Sequence, residues 1–329
     1  MYGILLIVAI LIIIILIIGI HEKSTNAICT SRRRLEGKTA LVTGGTAGMG
    51  LEIAKDLAHR GARVIVACPF IEEGTNARKQ IVKETENENV VFKHLDLSSV
   101  DSIRTFAADV LTNENRLDML INNAGVGHVQ DSQTKDHMHF IMQVNYYGSF
   151  LLTLLLLPLL LKTGKPDEPS RILLTSSVLH NLGQIDVENI NRTNYWYRLQ
   201  IYCNSKLCLV LFGNELAKRL KGTNVVVNTI DPGAVGTRIF DSGSRILGFF
   251  LKLFINAFFK NTWQGAQTAL HVMLDKKAGE VNGGFFKNCK VSKPVNRANC
   301  DKTAKVLWEE SMRLVNLSPD ELEKCFKPL

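Results

Sequence analysis

Hydrophobic and polar positions divide the chain into three regimes. From Tyr2 to Ile20 the side chains are apolar, rich in Ile and Leu, and include no charged residue. As a helix this stretch would be roughly 28 Å long at ~1.5 Å per residue, close to the ~30 Å hydrocarbon core of a bilayer. It exceeds the ~7–15-residue apolar core of a secretory signal, no basic segment precedes it, and no small-residue cleavage site follows. The pattern predicts one N-terminal transmembrane helix over residues 1–20. Residues 21–36 are polar and basic and read as a linker. From residue 37 to 329 the pattern predicts a single domain, in which short β-branched runs alternate with helical stretches. Such alternation marks a parallel sheet covered by helices on both faces.

Seven strands are predicted, at Thr39–Thr43, Arg63–Cys68, Val90–His94, Met119–Asn122, Arg171–Ser176, Asn224–Ile230 and Gly284–Phe286. Helical periodicity falls at about 49–60, 72–86, 99–113, 136–161, 199–220 and 262–275. The fold class is therefore α/β, a doubly wound parallel sheet preceded by the anchor. Leu151–Leu161 is leucine-rich, but it is short, contains Pro158 and continues a longer helix, so it reads as a buried core helix. Arg245–Lys260 is crowded with Phe, Leu and Ile, while Gly248, Lys252, Asn256 and Lys260 recur at every fourth position. Two readings of it stand: a core helix with a solvated edge, or an interfacial helix facing lipid or a lipophilic substrate.

Composition narrows the setting. With 329 residues and 46% hydrophobic content the chain can bury a large core. The net charge is +8, and Lys23, Arg32, Arg33, Arg34 and Lys38 concentrate part of it beside the apolar segment. No interleaved aromatics or basic recognition helix accompany them, so a membrane surface fits better than nucleic acid. The positive flank follows the anchor, which leaves the following domain on the cytosolic side. Seven scattered cysteines without paired C-x-x-C spacing read as reduced thiols, in agreement with that side. Cys203 and Cys208 read as packing residues, and no metal site is predicted.

Thr43-Gly44-Gly45-Thr46-Ala47-Gly48-Met49-Gly50 joins the first strand to the first helix of the domain. Glycines there let the backbone approach a pyrophosphate, and the helix N-terminus supplies free N–H groups and the positive end of a dipole. Asp96-Leu97, ending the third strand, suits either an adenine contact or a simple turn. Asn122-Asn123-Ala124-Gly125 follows the fourth strand beside the same site. The second strand ends Ala67-Cys68-Pro69-Phe70, with neither a carboxylate for the ribose hydroxyls nor a cation for a 2′-phosphate. Glu72 and Glu73 come late and read as capping the next helix. The lean is to NADP(H), with NAD(H) not excluded.

Tyr202 and Lys206 lie one helical turn apart and face the same way. A cation within ~4–6 Å can lower a phenol's pKa by about one to three units, making Tyr202 a usable acid–base group. Ser177, at the end of the fifth strand, can donate to a substrate oxygen and stabilise developing charge. Asn145, within the long helix, can hold a water that returns protons to the lysine.

These motifs together resemble the short-chain dehydrogenase/reductase family across roughly residues 37–310, and within it the membrane-attached retinol dehydrogenase group. The family's glycine loop matches Thr43, Gly44, Gly48 and Gly50, and its Asn-Asn-Ala-Gly matches Asn122–Gly125. Its catalytic Asn, Ser, Tyr and Lys match Asn145, Ser177, Tyr202 and Lys206. Its Pro-Gly matches Pro232-Gly233, with Thr237 positioned for the nicotinamide amide. The subgroup is recognised by the long insert between Ser177 and Tyr202, by Gly265-Ala266-Gln267-Thr268 and by the anchor. The resemblance implies a Rossmann-type sheet and cofactor contacts from Thr43, Gly44, Thr46, Gly48, Met49, Gly50, Asp96, Leu97, Asn123, Ala124, Gly125, Tyr202, Lys206, Pro232, Gly233 and Thr237. It implies hydride transfer to or from a lipophilic carbonyl or alcohol of retinal/retinol type, in an endoplasmic reticulum membrane. Membrane lipid is an expected partner, and a homodimer is possible. The chain departs from the subgroup at Pro69, where an Arg that favours the 2′-phosphate is usual. Steroid or fatty carbonyl reduction is the neighbouring alternative; a non-catalytic cofactor-binding scaffold, or an epimerase or dehydratase using the same Tyr-Lys pair, is the more distant one.

Overall fold

The computed structural model describes residues 23–127, 132–193, 198–236 and 259–329, with a few positions between 13 and 21. Most of the predicted anchor, Thr237 and all of Arg245–Lys260 before Phe259 lie outside the described residues.

The sheet has eight strands in the order β3-β2-β1-β4-β5-β6-β7-β8. These are β1 (Thr39–Thr43), β2 (Arg63–Cys68), β3 (Val90–His94), β4 (Met119–Asn122), β5 (Ser170–Thr175), β6 (Val225–Asp231), β7 (Phe285–Lys287) and β8 (Lys290–Ser292). Neighbours pair in parallel from β3 to β7, and β8 closes the edge antiparallel to β7. The sequence pattern missed β8, a three-residue hairpin arm whose Lys290 and Val291 are exposed, so no buried face betrays it. The central strands are buried along their whole length, as in β1 and β6, because helices cover both faces and neither can be polar.

The helices on the faces are α1 (Gly48–His59), α2 (Ile71–Thr85), α3 (Val100–Asn113), α4 (Phe140–Thr163), α5 (Arg198–Arg219), α6 (Thr262–Leu274), α7 (Asp301–Leu314) and α8 (Pro319–Cys325). Helix α4 is long and apolar enough to cross a membrane, yet most of it is buried inside the domain. Leu151–Leu161 is thus core, as its length and Pro158 suggested. Helices α7 and α8 were not foreseen. They close over α4 and α5: Trp308 packs against Phe150 and Phe212 with ring centroids 5.1 and 5.8 Å away. The Arg219 guanidinium lies 4.1 Å over the Trp308 ring, and the hydroxyls of Tyr146 and Ser311 meet at 2.8 Å.

The basic segment before β1 is tied down rather than loose. Ala27 N donates to Asn288 Oδ1 and Cys29 N to Gln267 Oε1, and Leu35 is fully buried. Arg33 and Lys38 both pair with Glu168, Lys38 also lies 3.5 Å from Asp118, and Arg34 pairs with Glu36. Part of the charge assigned to a membrane surface is therefore spent on carboxylates of the domain itself. Lys260, expected on the polar stripe of a helix, instead forms a bridge with Val235 and is buried.

Strand order reverses between β1 and β4. After β1 the chain winds one way to β2 and β3; it then crosses to β4 on the other side and continues to β7. The carboxyl ends of β1 and β4 consequently diverge, and loops leaving them open a crevice, the usual ligand position in an open α/β sheet.

Candidate active site

Thr43 ends β1 at the mouth of that crevice. Its Oγ1 accepts from the backbone N–H groups of Asn123 and Ala124 at 3.0 and 3.1 Å, while Asn123 Nδ2 donates to Thr43 O at 3.2 Å. These bonds splice the loop after β1 to the loop after β4. Gly44 and Gly48 sit in the left-handed region at φ +63° and +55°, where a side chain would be strained. A Cβ on Gly50 would lie 2.1 Å from Gly44 O and 2.5 Å from Asn123 Nδ2, so the loop can fold back on α1 only with glycine there. The N-cap of α1, Ala47, offers no side-chain bond to the first turn. Helix N–H groups and a side-chain-free loop thus face the crevice, and these residues fit the pyrophosphate of a dinucleotide.

Not every expected contact residue presents a side chain there. Met49 is nearly buried, its sulfur 2.8 Å from where a Gly265 Cβ would stand, so its side chain is committed to packing against α6. Leu97 belongs to the core. Asp96 Oδ1 accepts from both Ser98 N and Ser98 Oγ, at 2.8 and 2.6 Å, the turn-forming role that sequence left open beside an adenine contact. Gly233 has φ +81°, and its N–H donates to Asp231 Oδ1 at 2.9 Å, setting the turn after Pro232. Thr46 Oγ1 donates to Glu73 Oε1 at 2.7 Å, so Glu73 reaches back to the glycine loop rather than capping α2, whose N-cap Phe70 makes no side-chain bond.

Deeper in the crevice, α5 brings Tyr202 and Lys206 beside the ends of β4 and β5. Both are almost fully buried. Lys206 Nζ donates to Thr175 O at 3.0 Å and lies 5.6 Å from the centre of the Tyr202 ring. Gly125 is the close neighbour across the crevice: a Cβ there would come within 3.2 Å of Lys206 Nζ and 3.4 Å of Asn145 Oδ1. Burial pushes the Tyr202 phenol up to about 12, against a lowering hydrogen bond from Ser177. Burial pulls the Lys206 ammonium down to about 8. Burial is thus the largest influence on the phenol among the chain's own groups.

Ser177 follows β5 and caps a short 3₁₀ turn, Val178–Leu182, accepting from Leu179 N at 3.2 Å. Asn145 lies in a π-helical turn, Gln143–Tyr147, inside the run expected to be regular helix. Its amide is well anchored: Oδ1 accepts from Val126 N at 2.8 Å, and Nδ2 donates to Val126 O at 2.9 Å and to Ser205 Oγ at 3.0 Å. The side chain thus clamps the loop after β4 to α5, and one lone pair of Oδ1 is left over from these bonds. Ser205 Oγ in turn donates to Tyr202 O at 2.7 Å, and Ser176 Oγ to Lys206 O at 2.8 Å. Sequence reasoning passed over these two serines. Ser205 stands inside the Tyr-x-x-x-Lys spacing, and Ser176 directly before Ser177, so adjacency was the available signal. Among the described residues no group of three or more His, Cys, Asp or Glu side chains is placed to hold a metal ion.

The short chain dehydrogenase family model matches residues 38–245, which span the glycine loop, the Asn145 turn, Ser177 and the Tyr202–Lys206 pair. The chain belongs to the short-chain dehydrogenase family. It is 40% identical over 299 residues to retinol dehydrogenase 12 of Bos taurus, covering 91% of this chain and 93% of that one. It is 39% identical over 321 residues to retinol dehydrogenase 11 of Mus musculus, covering 97% of this chain and all of the other. Among solved structures, the NADP complex of RhlG from Pseudomonas aeruginosa superposes with a TM-score of 0.60 at 25% identity, over 77% of this chain and 95% of that one. This short-chain dehydrogenase is accordingly an oxidoreductase of the retinol dehydrogenase-like group, with a nicotinamide cofactor.

Proposed function

We propose that this short-chain dehydrogenase moves a hydride between its nicotinamide cofactor and the carbonyl or alcohol carbon of a lipophilic substrate of retinal/retinol type. The observation that carries the reading is the convergence of Tyr202, Ser177 and Lys206 at the switch-point crevice, in a chain about 40% identical to retinol dehydrogenases. The bound cofactor supplies or accepts the hydride. Tyr202 holds the proton that the substrate oxygen gains on reduction and loses on oxidation. Burial keeps this phenol protonated, so it has a proton to give when a carbonyl oxygen needs one. Ser177 donates to the same oxygen and steadies the charge that develops on it. Lys206 places a cation next to the phenol; Asn145, through Val126 and Ser205, keeps the two walls of the crevice in register.

Anchoring by residues 1–20, with the remainder facing the cytosol at the endoplasmic reticulum, is part of the same proposal. It is supported by the apolar N-terminal run and by the match to mouse retinol dehydrogenase 11 along that protein's whole length. The sequence-based lean to NADP(H) has the RhlG complex on its side. It rested, however, on the end of β2 lacking a carboxylate, and Glu73 supplies one. Steroid and fatty carbonyls remain the alternative substrates. The test is turnover by detergent-solubilised full-length protein on retinoid, steroid and fatty aldehydes and ketones with either reduced cofactor. Activity confined to the non-retinoid carbonyls would replace the substrate reading, and no activity on any of them would remove the enzyme reading.

A further inference from the structure

Beyond the end of β2 lies a cavity of about 410 Å³, open to solvent, between the glycine loop and the first two turns of α2. Its walls include Thr46 from the loop and Phe70, Glu72, Glu73, Asn76 and Gln80 from the α2 side. Two carboxylates and no lysine or arginine line it. Two cations of this region are engaged elsewhere: Arg78 Nε donates to Val90 O, at the far end of the sheet, and Lys93 pairs with Asp109 on α3. Thr46 stands between the two left-handed glycines of the phosphate loop and is nearly buried. Its hydroxyl donates to Glu73 Oε1 at 2.7 Å, which holds that carboxylate over the loop rather than out in water.

We infer that Glu73, held by Thr46, is the residue that selects the cofactor, accepting from a ribose 2′-hydroxyl and opposing a 2′-phosphate, so that the chain prefers NAD(H). The inference rests on the dinucleotide reading of the glycine loop. A dinucleotide whose pyrophosphate lies on Gly44–Gly48 directs its adenosine half toward the end of β2, the side on which this cavity opens. There a 2′-hydroxyl finds an acceptor, whereas a 2′-phosphate meets two carboxylates with no lysine or arginine among the described residues that line the cavity. Glu73 comes from the first turn of α2 rather than from the end of β2, which is why reading the strand end alone missed it. Pro69 has the same consequence from the other side: no cation at the strand end offsets the repulsion.

The test is equilibrium binding of NADH and NADPH to full-length protein in detergent, followed by nucleotide fluorescence without substrate. Variants are Glu73→Gln, Glu73→Lys and Thr46→Val. Wild type is expected to bind NADH more tightly than NADPH by about tenfold or more, the scale of one charged hydrogen bond. Glu73→Gln should shrink that ratio by roughly ten- to a hundredfold, mainly through tighter NADPH binding. Glu73→Lys should invert it. Thr46→Val keeps the charge but releases its tether, and should lower NADH affinity several-fold without approaching the NADPH affinity of Glu73→Gln. A ratio that stays the same in Glu73→Gln and Glu73→Lys, with both nucleotides still binding, overturns the role of Glu73 alone. Failure of wild type to bind either nucleotide, with its thermal transition intact, overturns the dinucleotide reading and this inference with it.

Discussion

Lys206 Nζ stands 5.6 Å from the centre of the Tyr202 ring and donates its hydrogen bond to Thr175 O. The ammonium therefore acts on the phenol through space, while the backbone at the end of β5 fixes where it stands. Burial of both groups works against charge on either one: the phenol is held at about 12 and the ammonium at about 8.

If Tyr202 carries the proton, Tyr202→Phe should lower kcat by roughly 10²–10⁴-fold, the range of general acid–base catalysis. Cofactor affinity should change little, because the ring is kept. Single-turnover hydride transfer and nucleotide titration separate the two. Turnover at the wild-type rate would take the proton away from Tyr202.

The Lys206 ammonium should leave a signature in stability as pH rises. Its folded value of about 8 lies below the ordinary 10.5, so between those limits the unfolded chain holds a proton that the folded chain has released. Stability from this group then increases with pH, at up to ~1.4 kcal/mol per unit, while below pH 8 its penalty is full and constant. Denaturation of wild type and Lys206→Met from pH 7 to 10 should show the difference shifting toward wild type above pH 8. A difference that stays flat across that range would mean the folded site does not release the proton early.

Gly125 is expected to tolerate no side chain. An alanine Cβ would stand 3.2 Å from Lys206 Nζ, tighter than ordinary contact, with Asn145 Oδ1 at 3.4 Å beside it, and the mobile partner is the lysine. Gly125→Ala should reduce kcat at least about tenfold, the scale of a small misplacement in an active site. Its thermal transition should move little, and an unimpaired kcat would show that Lys206 can shift freely.

Trp308 should be among the most costly single truncations. It fills the junction of α4, α5 and α7 and carries the Arg219 guanidinium on its ring. Trp308→Ala should destabilise the protein by about 3–5 kcal/mol, read by urea denaturation. A loss below about 1 kcal/mol would mean that α7 closes over the gap.

In sealed microsomes, added protease should digest the domain after residue 20 without detergent, as cytosolic exposure requires. Protection until detergent is added would reverse the proposed orientation.

Much of this architecture was legible because the strands are short, buried and bounded. Strands β1 to β4 fall on the residues that their β-branched runs mark, and β5, β6 and β7 are displaced by a single position. The juxtaposition of Tyr202 and Lys206 was legible for a different reason, since a helix places both on one face whatever else surrounds them. What escaped depends on contacts between distant segments. Helix α7 shows its buried face (Ala304, Leu307, Trp308, Ser311) only against the partners it covers. Glu73 looks like a helix-start acid until the fold brings Thr46 to it. The upward push of burial on the Tyr202 phenol was not foreseen, because the distance to Lys206 follows from spacing, whereas the depth at which both are buried does not.

The π-helical turn at Gln143–Tyr147 makes α4 two half-helices with separate rotational phase. One added residue within a helix turns everything beyond it by about 100°. Within the turn itself, the phase is set by Asn145 meeting Val126 and Ser205. Downstream, it is set by Phe150 and the leucines meeting the core. The bulge uncouples these demands, so the leucine-rich half can drift in sequence and repack without swinging Asn145 out of the crevice. Removing one residue from the bulge would gear the halves together again, and either the crevice or the core would then have to give way.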